Sequence, residues 1–188
     1  MLFRSFLKDS FKYLNRVDYS ACCYLNHLSR ITFIRLFFKA ISRLGDGVFW
    51  YCLMMFIIGI NGYQGIKPVL MMLIFGGMGS IIYKILKNKI SRPRPYQVHQ
   101  AIVNCGKILD HFSFPSGHTL HAVIFSMIAM YYYPELTFLV LPFTLLVAMS
   151  RVILGIHYPT DVIVSVLIGL FIADIAVSAD IIFSLGFN

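Results

Sequence analysis

The residues of this sequence that can do chemistry fall in three short polar segments. Lys87–Tyr96 reads KNKISRPRPY, Phe114–His121 reads FPSGHTLH, and Ser150–Asp161 reads SRVILGIHYPTD. Each has a physical role if the ligand is a phosphate. Lys87, Arg94 and Arg151 supply positive charge, and a guanidinium can grip phosphoryl oxygens with two parallel N–H donors. Ser116 and Gly117 follow Pro115 at a helix start, where free backbone N–H groups and the helix dipole favour an anion. His157 and Asp161 are four apart around Pro159, so the carboxylate can reach one imidazole nitrogen from the first helical turn. That bond fixes the tautomer and leaves the other nitrogen free to attack phosphorus. His118 can then protonate the leaving oxygen.

Taken singly, each of these residues also has a plainer explanation. Lys and Arg near the end of a membrane span usually snorkel to the interface. A lone His at a helix start is more often a hydrogen-bonding residue than a catalyst, and Pro-Ser-Gly is a common helix entry. His118 and His121 with His157 and Asp161 are also possible metal ligands, although a metal site has no need of so many cations nearby. Clustered on one face, the residues point to an anion site.

The elements that must position them are set by composition. The chain has 188 residues, of which 59% are hydrophobic and 13% charged, with a mean hydropathy of +0.77. A soluble domain carries about 25% charged residues, so a soluble globular protein is excluded, and so is disorder. The apolar residues gather into five candidate spans: 48–63, 68–86, 116–133, 136–150 and 159–182. A crossing helix needs about 20 residues, so the first and fourth are short. Small residues Gly76, Gly77, Gly79 and Ser80 mark a surface for close helix contact. Asp174 lies inside the fifth span, as a functional carboxylate or as one facing the bundle or its interface.

Residues before Val48 differ. Phe3, Phe6, Leu7, Phe11, Leu14 and Val17 lie on one helical stripe, with Arg4, Lys8, Lys12 and Arg16 on the other. Phe33, Phe37, Ile41 and Leu44 repeat the pattern against Arg35, Lys39 and Arg43. This predicts a basic amphipathic arm lying in the membrane interface. Insertion of residues 19–41 is opposed by Arg30, Arg35 and Lys39. The expected architecture is therefore an all-α polytopic membrane helical bundle, with an interfacial arm over 1–46 and a membrane core over 47–188. Five antiparallel spans bring the three polar segments to one membrane face. The formal charge of +8 finds its simplest partner in anionic lipid, and no nucleic-acid partner is expected. Cys22, Cys23, Cys52 and Cys105 show neither a CxxC pair nor zinc-ligand spacing.

Three motifs, Lys87-x6-Arg94-Pro95, Pro115-Ser116-Gly117-His118 and Ser150-Arg151-x5-His157-x3-Asp161, resemble the three-part signature of the type 2 phosphatidic acid phosphatases. That superfamily also includes vanadium-dependent haloperoxidases. All three parts are present in order, and the resemblance anchors roughly residues 42–170, with Ser42–Gly47 similar to a stretch in small bacterial members. The resemblance implies a metal-independent hydrolase of a lipid phosphomonoester or diphosphate, with no cofactor. His157 would be the nucleophile, Asp161 its orienting partner and His118 the general acid. Lys87, Arg94, Ser116, Gly117 and Arg151 would bind phosphoryl oxygens, and Arg92 and His121 fall outside the fixed positions. The expected substrates are an undecaprenyl-type diphosphate, phosphatidate or phosphatidylglycerophosphate. The alternative is a non-catalytic lipid- or anion-binding membrane protein that keeps the pocket. All Lys and Arg except Lys67 fall on the site's side, which the positive-inside rule would place in the cytoplasm. The resemblance instead implies an outward-facing site in a bacterial inner membrane, and that is the expectation adopted.

Overall fold

The computed structural model describes the backbone of residues 2–108 and 110–186, and the side chains of 15–108, 110–182 and 184. The described residues form helices and turns without strands. The helices are α1 (Leu2–His27), α2 (Thr32–Arg43), α3 (Phe49–Asn61), α4 (Ile66–Ile90), the single turn α5 (Pro95–Val98), α6 (Gly117–Tyr132), α7 (Thr137–Ile153) and α8 (Pro159–Gly186). The five apolar segments expected from the sequence correspond to α3, α4, α6, α7 and α8, with ends shifted by a few residues. Thr32–Val98, which joins α2 to α5, Pro134–Ile153 and Pro159–Ile182 are stretches long and apolar enough to cross a membrane.

At 16 residues, α6 rises only about 24 Å at 1.5 Å per residue. It has little lipid to face, because α4, α7 and α8 all pack against it. Leu120, Ile124 and Ala129 are fully buried on it. Close approach there depends on small residues: a Cβ at Gly169 of α8 would come within 3.1 Å of the Leu120 carbonyl oxygen. Large apolar side chains such as Met55, Phe138, Leu167, Phe171 and Ile182 point outward instead. Such a surface suits lipid rather than water.

The arm docks on the site end of the bundle. Asp18, Cys22 and Asn26, spaced four apart on α1, are all buried. Cys22 packs with Ile102, Val152 and Tyr158. On α2, Phe38 and Ser42 are buried while Phe33 and Phe37 are exposed, as is Leu44 just past its end. Phe33 and Phe37 of the apolar stripe therefore face outward, Ile41 of the same stripe packs against the core, and Phe38 and Ser42 hold the bundle. Of the α1 stripe, Val17 is exposed, and Phe3 to Leu14 lie outside the described side chains. Between α2 and α3 the chain turns at Gly47, whose φ of 137° is accessible to glycine and strained for other residues.

Asn26 is the clamp between arm and core. Its amide donates to the carbonyls of Val103 and Ile153, each at 3.0 Å, and accepts the Val103 N–H at 2.8 Å. Truncation leaves three backbone groups unpaired, each costing about 1–3 kcal/mol if it stays dry. Asn26→Ala is expected to lower unfolding stability in detergent by about 2–3 kcal/mol, read as a drop in thermal midpoint. An unchanged midpoint would mean that the arm is not clamped.

Candidate active site

Each motif reaches the site from a helix end. Lys87 lies in the last turn of α4, which stops at Ser91 (φ 47°). Arg94 follows in the α4–α5 link. Both are buried, and one carboxylate spans them: Asp110 Oδ2 lies 2.7 Å from Lys87 Nζ, and Asp110 Oδ1 lies 2.8 Å from Arg94 Nη2. Arg94 also donates to the Asp110 and Ile156 carbonyls. Burial alone would raise the Asp110 pKa, but Lys87 and Arg94 outweigh it and hold the carboxyl below its ordinary value. It is thus an anion already seated between two of the expected phosphate ligands.

Arg151 closes the last turn of α7. It is 2% exposed, and its Nη1 donates to Ser42 Oγ at 2.5 Å. Its Nε is buried without a partner. Among the described residues no carboxylate lies within ion-pairing distance of it.

His157 sits in the turn between α7 and α8. Gly155 (φ 74°) begins that turn, in a place where a Cβ would lie 2.6 Å from the Val103 carbonyl oxygen. His157 Nδ1 is 3.7 Å from Asp161 Oδ2, longer than a hydrogen bond. Catalytic hydrogen bonds are often long before substrate binds. Burial pushes the His157 pKa down to about 3; Asp161 opposes this, while Arg151 and Arg94 reinforce it. The ring is therefore neutral at neutral pH, with a lone pair available. Asp161 is itself held firmly: it accepts the Tyr158 N–H at 2.9 Å and Arg92 Nη1 at 2.7 Å. Arg92 lies over the Tyr158 ring, 4.0 Å from its centroid. Its Nη2 pairs with Asp18 of α1 at 2.7 Å.

His118, in the first turn of α6, hydrogen-bonds through Nε2 to Asp46 Oδ1. Gly117 lines the cavity beside it. Ser116 does not line that cavity: its N–H donates to Ser165 Oγ at 2.7 Å, and its hydroxyl pairs with Thr119 at 3.0 Å. Ser165 in turn donates to the Asp161 carbonyl at 2.6 Å, so Ser116 braces α6 against α8. His121 turns to the Gly117 carbonyl and to Ser80 Oγ, each at 2.8 Å. Among the described residues, no three His, Cys, Asp or Glu side chains are arranged to hold a metal ion.

Lys87, Arg94, Gly117, His118, Arg151 and His157 all line one cavity of about 490 Å³. Its other end is apolar, formed by Trp50, Met54, Leu73 and Phe125. Residues 64–180 match the model of the PAP2 superfamily. The chain belongs to the PAP2 superfamily. It is 32% identical to phosphatidylglycerophosphatase B of Bacillus subtilis (strain 168), over 70% of this chain and 68% of that protein. It is 31% identical to undecaprenyl-diphosphatase BcrC of the same organism, over 65% of this chain and 63% of that protein. In structure it resembles the transmembrane PAP2-type phosphatidylglycerolphosphate phosphatase from Bacillus subtilis. That match has a TM-score of 0.75 and 25% identity, and covers 95% of this chain and 92% of that one. It shares its fold with Aquifex aeolicus LpxE, with a TM-score of 0.70 and 21% identity over 82% of this chain and 93% of that one. As a PAP2 protein, the chain is a multi-pass membrane phosphatase, as its motifs predict.

The PAP2 motifs leave out three carboxylates that the fold brings in: Asp18, Asp46 and Asp110. Asp46 falls in the Ser42–Gly47 stretch and had a faint signal; Asp18 and Asp110 had none beyond being rare acids among cations. Asp174 is exposed on α8 and does not line the cavity.

Asp110→Asn removes the counter-charge from two buried cations. After allowance for the partial exposure of Asp110, the loss is about 1–3 kcal/mol. The detergent-solubilised variant is expected to melt earlier than wild type and to regain part of the difference in millimolar phosphate or vanadate, which binds only the folded state. Melting indifferent to both substitution and anion would remove Asp110 from the charge balance.

Proposed function

We propose that this PAP2 protein removes the terminal phosphoryl group from a membrane lipid phosphate or diphosphate, through a phosphohistidine formed on His157. The observation that carries the reading is Arg151. A buried guanidinium costs several kcal/mol unless an anion meets it; among the described residues Arg151 has no carboxylate within ion-pairing distance, Asp46 and Asp110 acting on it only from further off, and its Nε is unpartnered in the cavity it shares with His157. A substrate phosphoryl group supplies the missing anion. Lys87, Arg94 and the start of α6 at Gly117 complete the cradle.

In the first half-reaction the free nitrogen of neutral His157 attacks phosphorus. The N–P bond forms as the P–O bond to the lipid breaks, and His118 gives its proton to the departing oxygen. Asp161, fixed by Arg92 and the Tyr158 N–H, stabilises the charge that develops on His157. Water then attacks phosphorus, His118 takes its proton, and phosphate leaves. The cations surround the charge where it builds up, and loss of one such donor commonly costs about 10²–10³ in rate. The apolar end of the cavity, between α3 and α4, suits a lipid tail. Phosphatidylglycerophosphate, an undecaprenyl-type diphosphate and phosphatidate all fit this chemistry. The proposed setting is a bacterial inner membrane with the site facing outward.

Purified protein in detergent with EDTA is expected to release inorganic phosphate from at least one of these lipids. His157→Ala is expected to reduce that release to background, and full activity in the variant would sink the mechanism. A rate that needs added Zn²⁺ or Mg²⁺ would favour metal chemistry, and phosphate binding without turnover would favour the non-catalytic alternative. Sidedness has its own measurement. In a cysteine-free background, Asn104→Cys on the exposed loop at the site end is expected to react with a membrane-impermeant maleimide in intact cells. Labelling only after lysis would place the site in the cytoplasm.

A further inference from the structure

Asp46 lines two cavities. One is the catalytic cavity; the other, of about 290 Å³, is bounded by Lys39, Ser42, Arg43, Asp46, Gly106 and Lys107. Lys39 and Arg43 stand one turn apart on α2, and Lys107 comes from the loop between α5 and α6. Among the described residues, none of the three makes an ion pair. Asp46 is the single carboxylate of this lining, and it is committed to His118. The charge of Lys87 and Arg94 is answered internally by Asp110; Lys39, Arg43 and Lys107 are exposed to an entering ligand, with Asp46 acting on Lys107 only from beyond ion-pairing distance. The two cavities are also joined through Ser42, which lines the second cavity and accepts from Arg151 of the first.

Position decides what such a cavity receives. On the reading above, His157 attacks the terminal phosphorus and His118 protonates the leaving oxygen, so the leaving group lies on the side of His118. Asp46 holds His118, and the basic cavity opens beyond Asp46. We propose that this cavity binds a second phosphoryl group carried by the leaving portion of the substrate, so that the enzyme prefers lipids with two phosphoryl centres to those with one. The proposal rests on the phosphatase reading and deepens it. With a diphosphate, the bond from His157 to the terminal phosphorus forms and the bond from that phosphorus to the bridging oxygen breaks. The bridging oxygen stays on the lipid monophosphate and takes the proton from His118. The departing monophosphate keeps the negative charge that its phosphoryl group already carried in the diphosphate, next to Lys39, Arg43 and Lys107. A substrate with one phosphoryl group leaves as a neutral alcohol and makes no use of them.

The same cations can instead meet phosphoryl groups of bulk anionic lipid, and the test separates the two sources. Farnesyl diphosphate and farnesyl phosphate share one tail and differ by one phosphoryl group. Both are assayed in neutral detergent without lipid, using wild type and the triple variant Lys39→Gln/Arg43→Gln/Lys107→Gln. The ratio of kcat/KM for diphosphate over monophosphate is expected to fall about tenfold or more in the triple variant, since charge-assisted bonds are the strong ones. The loss should lie chiefly in KM. Inhibition by methylenediphosphonate should weaken relative to inhibition by orthophosphate. Lys107→Gln alone, on the loop, should give a smaller fall of the same sign and keeps the test valid if the triple variant does not fold. An unchanged ratio overturns the subsite. So does an equal loss on both substrates that is seen only in vesicles containing anionic lipid, which assigns the cations to the bilayer. Wild type that releases phosphate from neither substrate overturns the phosphatase reading and the subsite together. Wild type that cleaves both, with a ratio the substitutions leave alone, overturns the subsite only.

Discussion

Burying positive charge at one end of an apolar bundle is the constraint on which this structure turns. Lys87, Arg94 and Arg151 are each at most 5% exposed, where an unmatched charge costs several kcal/mol. The chain has only eight acidic residues, and Asp18, Asp46, Asp110 and Asp161 all come to this end, bonded to Arg92, His118, Lys87 or Arg94. The account closes for every buried cation except Arg151. On the proposed reading, that imbalance is what draws a phosphoryl group to the site. A phosphoryl group entering beside Arg151 completes one unmet charge, but it must also compete with Asp110 for Lys87 and Arg94. Lys87 and Arg94 therefore stay paired without substrate, while Arg151 keeps one strong reason to bind an anion.

Helix direction supports the same arrangement. A helix carries partial negative charge at its C-terminus and partial positive charge at its N-terminus, an effect concentrated in the end turns. Lys87 and Arg151 lie in the last turns of α4 and α7, while Asp161 lies in the first turn of α8. Each charged side chain thus meets the favourable end of its own helix. The alternation of antiparallel helices places cations and anion-seeking N-termini side by side without a long loop. His118 at the start of α6 gains a further advantage, since α6 is the central helix and is held by α4, α7 and α8. A side chain on such an element is better fixed than one on a surface loop.

The motif residues were legible because their spacing is local: His157 and Asp161 share a turn, and Gly117 and His118 share a helix start. Apolar run length likewise located α3, α4, α6, α7 and α8 to within a few residues. What was hidden is long-range. Arg92 meets Asp18 from 74 residues away, and Arg151 meets Ser42 from 109; no periodicity encodes such pairings. Ser116 shows the limit within a motif. Its position at a helix start argued for a free N–H, but Ser165 arrives from α8 and takes it. The docking of α1 was hidden for a related reason. The face that binds the bundle carries Asp18, Cys22 and Asn26, two of them polar, whereas a hydrophobicity pattern draws attention to apolar residues.

That docking ties the arm to the candidate site. Arg92 divides its guanidinium between Asp18 of α1 and Asp161, the partner of the proposed nucleophile, at 2.7 Å each. Asp18 also accepts the Thr160 N–H at 3.0 Å and the Thr160 hydroxyl, so it grips the first turn of α8 directly. If Arg92 served Asp161 alone, it would neutralise that carboxylate more fully and weaken its hold on the developing imidazolium of His157. Sharing Arg92 with Asp18 leaves Asp161 located but only partly quenched. Groups coupled in this way do not contribute additively, and the sharing exists only while α1 is seated. Asn26, two turns along the same face, keeps it seated through the Val103 and Ile153 backbone. The segment that sequence assigns to the membrane surface is thereby tied, through Arg92, to the carboxylate beside His157.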